Sequence, residues 1–357
     1  MGTTTLRSIV PPRLLHQLLT HDDPAVRNAA RQTLLQTALL REQRAGLDRP
    51  RSGTGGRGLH RSIYDARGEF TSIGTLVRDE GDPPVPDGAV NDVYDAFEAT
   101  YALYSDVYDR DSIDGAGQPL VGVTHYGRRF NNAFWNGARM VFGDGDGMLF
   151  VGFTKATDVI GHELTHGVTE CTSALTYHGQ SGALNESFSD VFGSLVKQYA
   201  LRQRADQADW LIGAGTLGPA IRGKALRSMA APGTAFPGDD QPGHMAGYVE
   251  LPDNDAGDNA GVHTNSGIPN HAFYILATLL GGYAWETAGQ IWYDTLRTLT
   301  PHADFADCAS ASWSHAGRRF GAGSREQHAV AHAWDAVGIT IAKRKVPEAL
   351  AADATRR

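Results

Sequence analysis

The stretch VIGHELTHGVTE, residues 159–170, sets a glutamate between two histidines four positions apart. On a helix that spacing puts His162 and His166 on one face, where both imidazoles can hold one metal ion. Glu163, beside them, can reach a water in an open coordination position. The alternative is two polar histidines on an amphipathic helix, so the motif requires a third ligand. A second stretch, SGALNESFSDVFGSLVKQYA, residues 181–200, supplies one. With Ser181 or Asn185 as the cap, and Phe188, Val191, Phe192, Leu195 and Tyr199 facing a core, Glu186 and Asp190 share another face. Glu186 completes a His, His, Glu set with water as fourth ligand, the catalytic arrangement of Zn2+. Asp190 is placed to accept a hydrogen bond from a ligand histidine and fix its tautomer. In the first stretch Val159, Ile160, Leu164 and Val168 are the apolar positions.

The totals agree with a soluble catalyst of more than one domain. The 357 residues are 41% hydrophobic and 20% charged, more chain than one core usually organises. A net charge of −8 disfavours nucleic acid as a partner, because binding phosphates needs a basic excess. No apolar run reaches the roughly 20 residues that span a bilayer, so no membrane partner is expected. Cys171 and Cys308 read as two free buried thiols, and one disulfide is the alternative.

Along the chain the character changes. Residues 22–46 suit a helix, capped by Asp22 or Asp23 with Pro24 in its first turn. Val26, Ala29, Ala30, Leu34, Leu35, Ala38 and Leu39 form its apolar stripe. GLDRPRSGTGGRGLHRS, residues 46–62, is a Gly-, Arg- and Ser-rich segment that buries no core and reads as an exposed linker. Strand character marks 74–81, 120–127 and much of 130–152, with a helix expected at 90–108. From 158 onward helices dominate: 158–170, 185–203, about 268–280, 285–299, 307–320 and 324–337. The organisation expected is a helical front unit (1–46), read as a prosegment with an ordinary N-terminal extension as the alternative, a processing linker (47–62), a β-rich domain (63–157), a helical domain (158–341) and a polar tail (342–357). The fold class is α+β, with two domains and a cleft between them.

GHELTHGVTE (161–170), followed by GALNESFSD (182–190), resembles the thermolysin-type zinc metalloendopeptidases. YGRRFNNAFWNGARMVFGDGDG (126–147), ALRSM (225–229), DNAGVHTNSGIPN (258–270) and AHAWDAVGI (331–339) resemble further motifs of that family in the same order. SIVPPRLL (8–15), in a short front piece, is similar to the prosegment of the protealysin-like branch. The resemblance implies the two-domain thermolysin-like fold and a zinc endopeptidase made as a proenzyme and self-processed. It implies Tyr177 and His263 as donors to the oxyanion, with Asp258 orienting and charging His263. Asn132 and Ala133 match the strand that pairs with substrate, and Arg227 the arginine that binds a substrate carbonyl. Phe150, Phe153, Val159, Ile212 and Leu226 correspond to the primed-side pocket, all apolar, which implies a hydrophobic residue after the cleaved bond.

One departure concerns calcium. Asp158 and Asp209 stand at two positions of the paired calcium site that such enzymes often carry, but Lys197, Leu211 and Ala214 replace three expected glutamates. The double site is expected to be absent, with Lys197 in place of the ion, pairing with Asp158 or Asp209. Asp144 and Asp146 read as turn residues, with a separate ion site as the alternative. The partners expected are a peptide or protein substrate and the prosegment as intramolecular inhibitor, on a monomer. The family implies secretion although no signal peptide is visible, and a cytoplasmic place is the alternative. Two competing activities are a zinc aminopeptidase, for which no acidic amine anchor precedes residue 158, and a non-catalytic zinc-retaining protein.

Overall fold

The computed structural model describes residues 7–44, 58–71 and 73–341. Most of the expected linker and the whole polar tail lie outside the described residues. Six strands form one mixed sheet: β1 (Arg7–Ser8), β2 (Arg61–Asp65), β3 (Thr75–Asp79), β4 (Leu120–Thr124), β5 (Ala133–Trp135) and β6 (Met140–Phe142). Their order is β1-β5-β6-β4-β2-β3. The β2–β4 and β4–β6 pairs are parallel and the others antiparallel. β2 takes in Arg61 and Ser62, which the sequence reading gives to the linker, so this strand reaches two residues into that segment.

The front of the chain contributes more than helices. Ser8 and Arg7 pair with Phe134 and Trp135 of β5, so the front of the chain is an edge strand of the catalytic sheet. Helices α1 (Pro12–Leu18) and α2 (Pro24–Arg44) follow. Pro12 opens α1, where its missing N–H costs nothing, and the Asp23 carboxylate accepts from Ala25 N at 2.8 Å to cap α2. The expected stripe on α2 is corrected. Leu35 and Leu39 are exposed, and the buried face runs through Val26, Ala30, Thr33 and Thr37. Thr33 Oγ1 accepts from Asn131 Nδ2 at 3.2 Å, which ties that face to the body.

Helix α3 (Gly88–Ala102) lies on the sheet through Val90, Val93 and Phe97. Gly122 of β4 permits this, because a Cβ there would meet Val93 at 2.9 Å and Ile63 at 3.0 Å. The expected helix at 90–108 is α3 with a π-helical turn over Leu103–Val107. Beyond the sheet come α4 (Thr157–Glu170), α5 (Gly179–Leu201), α6 (Asp258–Asn265), α7 (Gly267–Leu280), α8 (Thr287–Leu296), α9 (Phe305–Phe320) and α10 (Arg325–Ala336). A small ribbon pairs β7 (Leu211–Ile212) with β8 (Arg227–Ser228). α5 begins at Gly179 after His178, so neither Ser181 nor Asn185 caps it.

Both α4 and α5 are buried on nearly all sides, so neither is amphipathic in the ordinary sense. They approach closely at Gly193, where a Cβ would lie 2.4 Å from the Asp158 carbonyl and 2.9 Å from His162 N. That gap-closing glycine brings the carboxylates of α5 up to the histidines of α4. Cys308 is buried but Cys171 is exposed, correcting the expectation of two buried thiols. Among the described residues no helix is long and apolar enough to cross a membrane.

Candidate active site

His162, His166 and Glu186 converge as their spacing predicts. One ligand atom from each lies within 4.8 Å of the others, and all three residues are fully buried. His162 Nε2 is 3.4 Å from Glu186 Oε2, and His166 Nε2 is 3.4 Å from Glu186 Oε1. The outer nitrogens are held from behind. His162 Nδ1 lies 2.8 Å from Asp190 Oδ1. His166 Nδ1 lies 2.8 Å from Asn185 Oδ1 and 2.9 Å from Ser189 Oγ.

The inward atoms His162 Nε2, His166 Nε2 and Glu186 Oε2 are buried without a hydrogen-bond partner. Stranding one such group costs about 1–3 kcal/mol, and three aimed at one point are the donor set of a divalent cation. The residues fit zinc: two neutral imidazoles and one carboxylate, with second partners fixing each ring. Burial, and then the neighbouring His162, hold the His166 pKa well below the ordinary histidine value, which keeps that imidazole neutral.

Asp190 has a wider role than orienting one ring. Arg227 grips it with Nε to Oδ2 and Nη2 to Oδ1, both 2.8 Å, and Asn270 Nδ2 donates to Oδ2 at 2.8 Å. Burial alone would raise its pKa, but Arg227, and then His162, outweigh burial and hold it well below the carboxylate range. Asn185, Ser189 and Asn270 have no signal in the sequence beyond Asn185 and Ser189 flanking Glu186 on its own helix.

Glu163 is tied to the sheet. Its Oε2 accepts from Trp135 N at 3.1 Å, so β5 positions the expected general base. Across the site, His263 Nδ1 is 2.6 Å from Asp258 Oδ1, and Asp258 Oδ2 accepts from His263 N at 2.7 Å. The expected loop there is the short α6, whose Asn259, Ala260 and Gly261 are left-handed. Burial opposes charge on His263, yet Asp258, and then Glu186, raise its pKa to about 9. The Tyr177 hydroxyl donates to Glu186 and lies 3.4 Å from His263 Nε2. Burial, then Glu186, push the Tyr177 pKa well up, so it remains a proton donor.

The cleft is filled by the chain's own front end. Ile9 N donates to Ala133 O at 3.3 Å, and Val10 N donates to Asn132 Oδ1 at 3.3 Å. Ile9 O accepts from Arg227 Nη1 at 3.2 Å, and Ser8 O lies 3.2 Å from His263 Nε2. Phe150, Phe153, Val159, Ile212 and Leu226 are buried in the same apolar cluster as Ile9 and Val10.

At the expected calcium positions Lys197 Nζ sits 2.8 Å from Asp158 Oδ2 and 2.9 Å from Asp209 Oδ1. It also donates to Leu211 O at 2.9 Å. Burial disfavours the ammonium, but Asp158 and Asp209 together raise its pKa. Asp146 Oδ1 accepts from Met148 N at 2.8 Å and Leu149 N at 2.7 Å, while Asp144 pairs with His125. Both therefore have turn or ion-pair work within the chain.

A buried His, His, Glu cluster, a nearby carboxylate base and a peptide-lined cleft define a metallopeptidase. The model of the thermolysin metallopeptidase catalytic domain matches residues 57–170, and that of its alpha-helical domain matches 173–339. The chain belongs to the thermolysin metallopeptidase family. It is 46% identical over 352 residues to an extracellular metalloprotease of Pectobacterium carotovorum subsp. carotovorum, covering 96% of this chain and 99% of that one. It is 48% identical over 290 residues to Protease PrtS of Photorhabdus sp. (strain Az29), covering 79% and 77%. Among solved structures, the precursor of protealysin, a metalloproteinase from Serratia proteamaculans, superposes with a TM-score of 0.84 at 48% identity. That match covers 94% of this chain and 100% of the other. The chain is a metalloendopeptidase of the protealysin-like branch, made as a proenzyme.

Proposed function

We propose that His162, His166 and Glu186 hold one zinc ion and that the cleft hydrolyses peptide bonds inside a chain, next to a hydrophobic primed-side residue. The observation that carries this reading is the path of residues 7–10. They run along β5 with residues seated on both sides of the catalytic groups, which an aminopeptidase cleft, closed behind the substrate's amine, would not admit.

When bound, zinc polarises water and carbonyl and lowers the water's pKa towards about 7. Glu163, held by Trp135 N, takes the proton from the attacking water and returns it to the leaving amine. His263, charged through Asp258, and Tyr177 donate to the developing oxyanion. Asn132 and Ala133 hold the substrate N–H groups, and Arg227 the carbonyl after the cut, as they hold Val10 and Ile9 here. Phe150, Phe153, Val159, Ile212 and Leu226 would receive the side chain that Ile9 now presents. The prosegment inhibits by lying where substrate lies. Lys197 takes the place of calcium, and the enzyme works as a secreted monomer. The test is Glu163→Gln in the full chain: we expect it to stay intact while wild type shortens from the front. Equal shortening in both would remove Glu163 from the reaction.

A further inference from the structure

We propose that the cleft carries a subsite selective for an arginine side chain at the second residue on the amino side of the cut, with Glu170 as its specificity-determining group. This rests on the endopeptidase reading above and deepens it.

The register fixes which side chain is involved. Ser8 O faces His263, Ile9 N is held by Ala133 O, and Ile9 O is held by Arg227. The peptide bond presented to the catalytic groups is therefore Ser8–Ile9, and Arg7 occupies the second position before the cut. A substrate following the same strand path, opposite Trp135 of β5, would present its own side chain to the same surroundings.

Those surroundings suit a guanidinium. Arg7 Nη1 donates to the His166 carbonyl at 2.8 Å and lies 3.7 Å from Glu170 Oε2. Its guanidinium carbon stands 5.8 Å from the centre of the Tyr177 ring, within cation–π range. The Arg7 side chain is only 11% exposed and Glu170 18%, so the pair is shielded from screening more than a surface pair would be. His166 and Glu170 are one turn apart at the C-terminal end of α4, and α4 has no basic residue of its own in that last turn. The partial negative charge of the helix end and the Glu170 carboxylate thus add, and a cation from the bound strand answers both. A planar, multi-donor arginine reaches carbonyl, carboxylate and ring at once, whereas a lysine offers one point charge.

The test uses the enzyme matured from the full chain and four peptides that differ only at the residue before Ser-Ile-Val: arginine, citrulline, alanine or glutamate. Citrulline keeps the shape and removes the charge. We expect kcat/KM for arginine to exceed that for citrulline about tenfold, the equivalent of about 1.4 kcal/mol, with glutamate slowest. In Glu170→Gln the arginine-to-citrulline ratio should fall towards one, while the arginine peptide should still be cleaved faster than a fifth peptide that carries aspartate in place of its isoleucine. Equal rates for arginine and citrulline in wild type overturn the inference without any variant, and so does a ratio that Glu170→Gln leaves unchanged. If none of the peptides is cleaved, the endopeptidase reading fails first and takes this one with it.

Discussion

Ser8 and His263, 255 positions apart in the chain, meet at 3.2 Å between the serine carbonyl and the imidazole Nε2. The carbonyl that faces the catalytic donors therefore belongs to the protein itself. A peptide copying residues 6–18 should compete with substrate for the matured enzyme. Changing its Ile9 to Asp removes the burial of one aliphatic side chain, worth about 1.5–3 kcal/mol, so its Ki should rise at least tenfold. Equal inhibition by both peptides would mean that the seated strand does not use the apolar pocket.

Asp190 is shared by His162 and Arg227, with each partner held at 2.8 Å. Asp190→Asn leaves a hydrogen-bond acceptor for the imidazole but removes the charge that anchors the guanidinium. Zinc affinity should fall about 10–100-fold, as for other partners behind metal ligands, and KM should rise because Arg227 also holds a substrate carbonyl. Chelator competition measures the first and steady-state kinetics the second, the KM effect following if substrate takes the place of the Ile9 carbonyl that Arg227 holds here. Unchanged zinc affinity would show that Asn185 and Ser189, on the other histidine, suffice.

Lys197 bridges Asp158 and Asp209 where two acidic residues alone would repel. Asp158 is buried, so Lys197→Met leaves an uncompensated carboxylate and should cost about 3 kcal/mol in the full chain. Added calcium should not restore this loss, and a calcium-selective chelator should leave the wild-type Tm unchanged. A chelator-induced drop of several degrees would contradict the replacement of the ion by an ammonium.

His125 joins two carboxylates, with Nδ1 2.9 Å from Asp144 and Nε2 2.8 Å from Asp87, the residue that caps α3. The Asp144 bond, with Asp87 adding and burial opposing, raises its pKa from 6.5 to about 9. A histidine whose folded pKa is raised stabilises fully below its unfolded value, and that contribution fades as pH rises through about 9. Urea unfolding of Glu163→Gln, which avoids self-digestion, should show His125→Gln weaker by about 1 kcal/mol at pH 6. The gap should close by pH 10. A gap that is constant with pH would mean packing and not charge.

The convergence of His162, His166 and Glu186 was legible because its information is local: His162 and His166 share one helix, Glu186 and Asp190 another, and helical spacing aligns each pair. The motifs of the resemblance then placed His263, Arg227 and Asn132. What escaped was set by tertiary contact. The stripe on α2 is rotated because the body offers it Asn131, so Thr33 is buried while Leu35 and Leu39 face out. Trp135 N reaches Glu163 only because β5 passes over α4. Asn185 reads as a cap by residue type, yet α5 starts earlier and its amide serves His166. Arg61 and Ser62 follow a Gly- and Arg-rich run that hides a strand whose partners come later in the chain, Ser62 pairing with Asp79 and with Val121.

The linker repeats the order of residues seated in the cleft. Arg7–Ser8–Ile9 is an arginine, a small residue and a branched apolar one, and Arg57–Gly58–Leu59 has the same order. Arg61–Ser62–Ile63 is a still closer copy, but it is locked in β2 between β3 and β4, with Arg61 ion-paired to Glu80 and Glu98. A strand paired on both sides offers no free backbone to add to β5, so cleavage there would require unfolding the sheet. The matured enzyme should therefore begin at Leu59, read by N-terminal sequencing as Leu-His-Arg-Ser. Leu59→Asp should block that cut and move or abolish processing, because Ile9, the residue at the matching position, is fully buried in the apolar core. A mature terminus at any bond within 47–57, unaffected by Leu59→Asp, would show that the chain does not read its linker by the pattern its own front end displays.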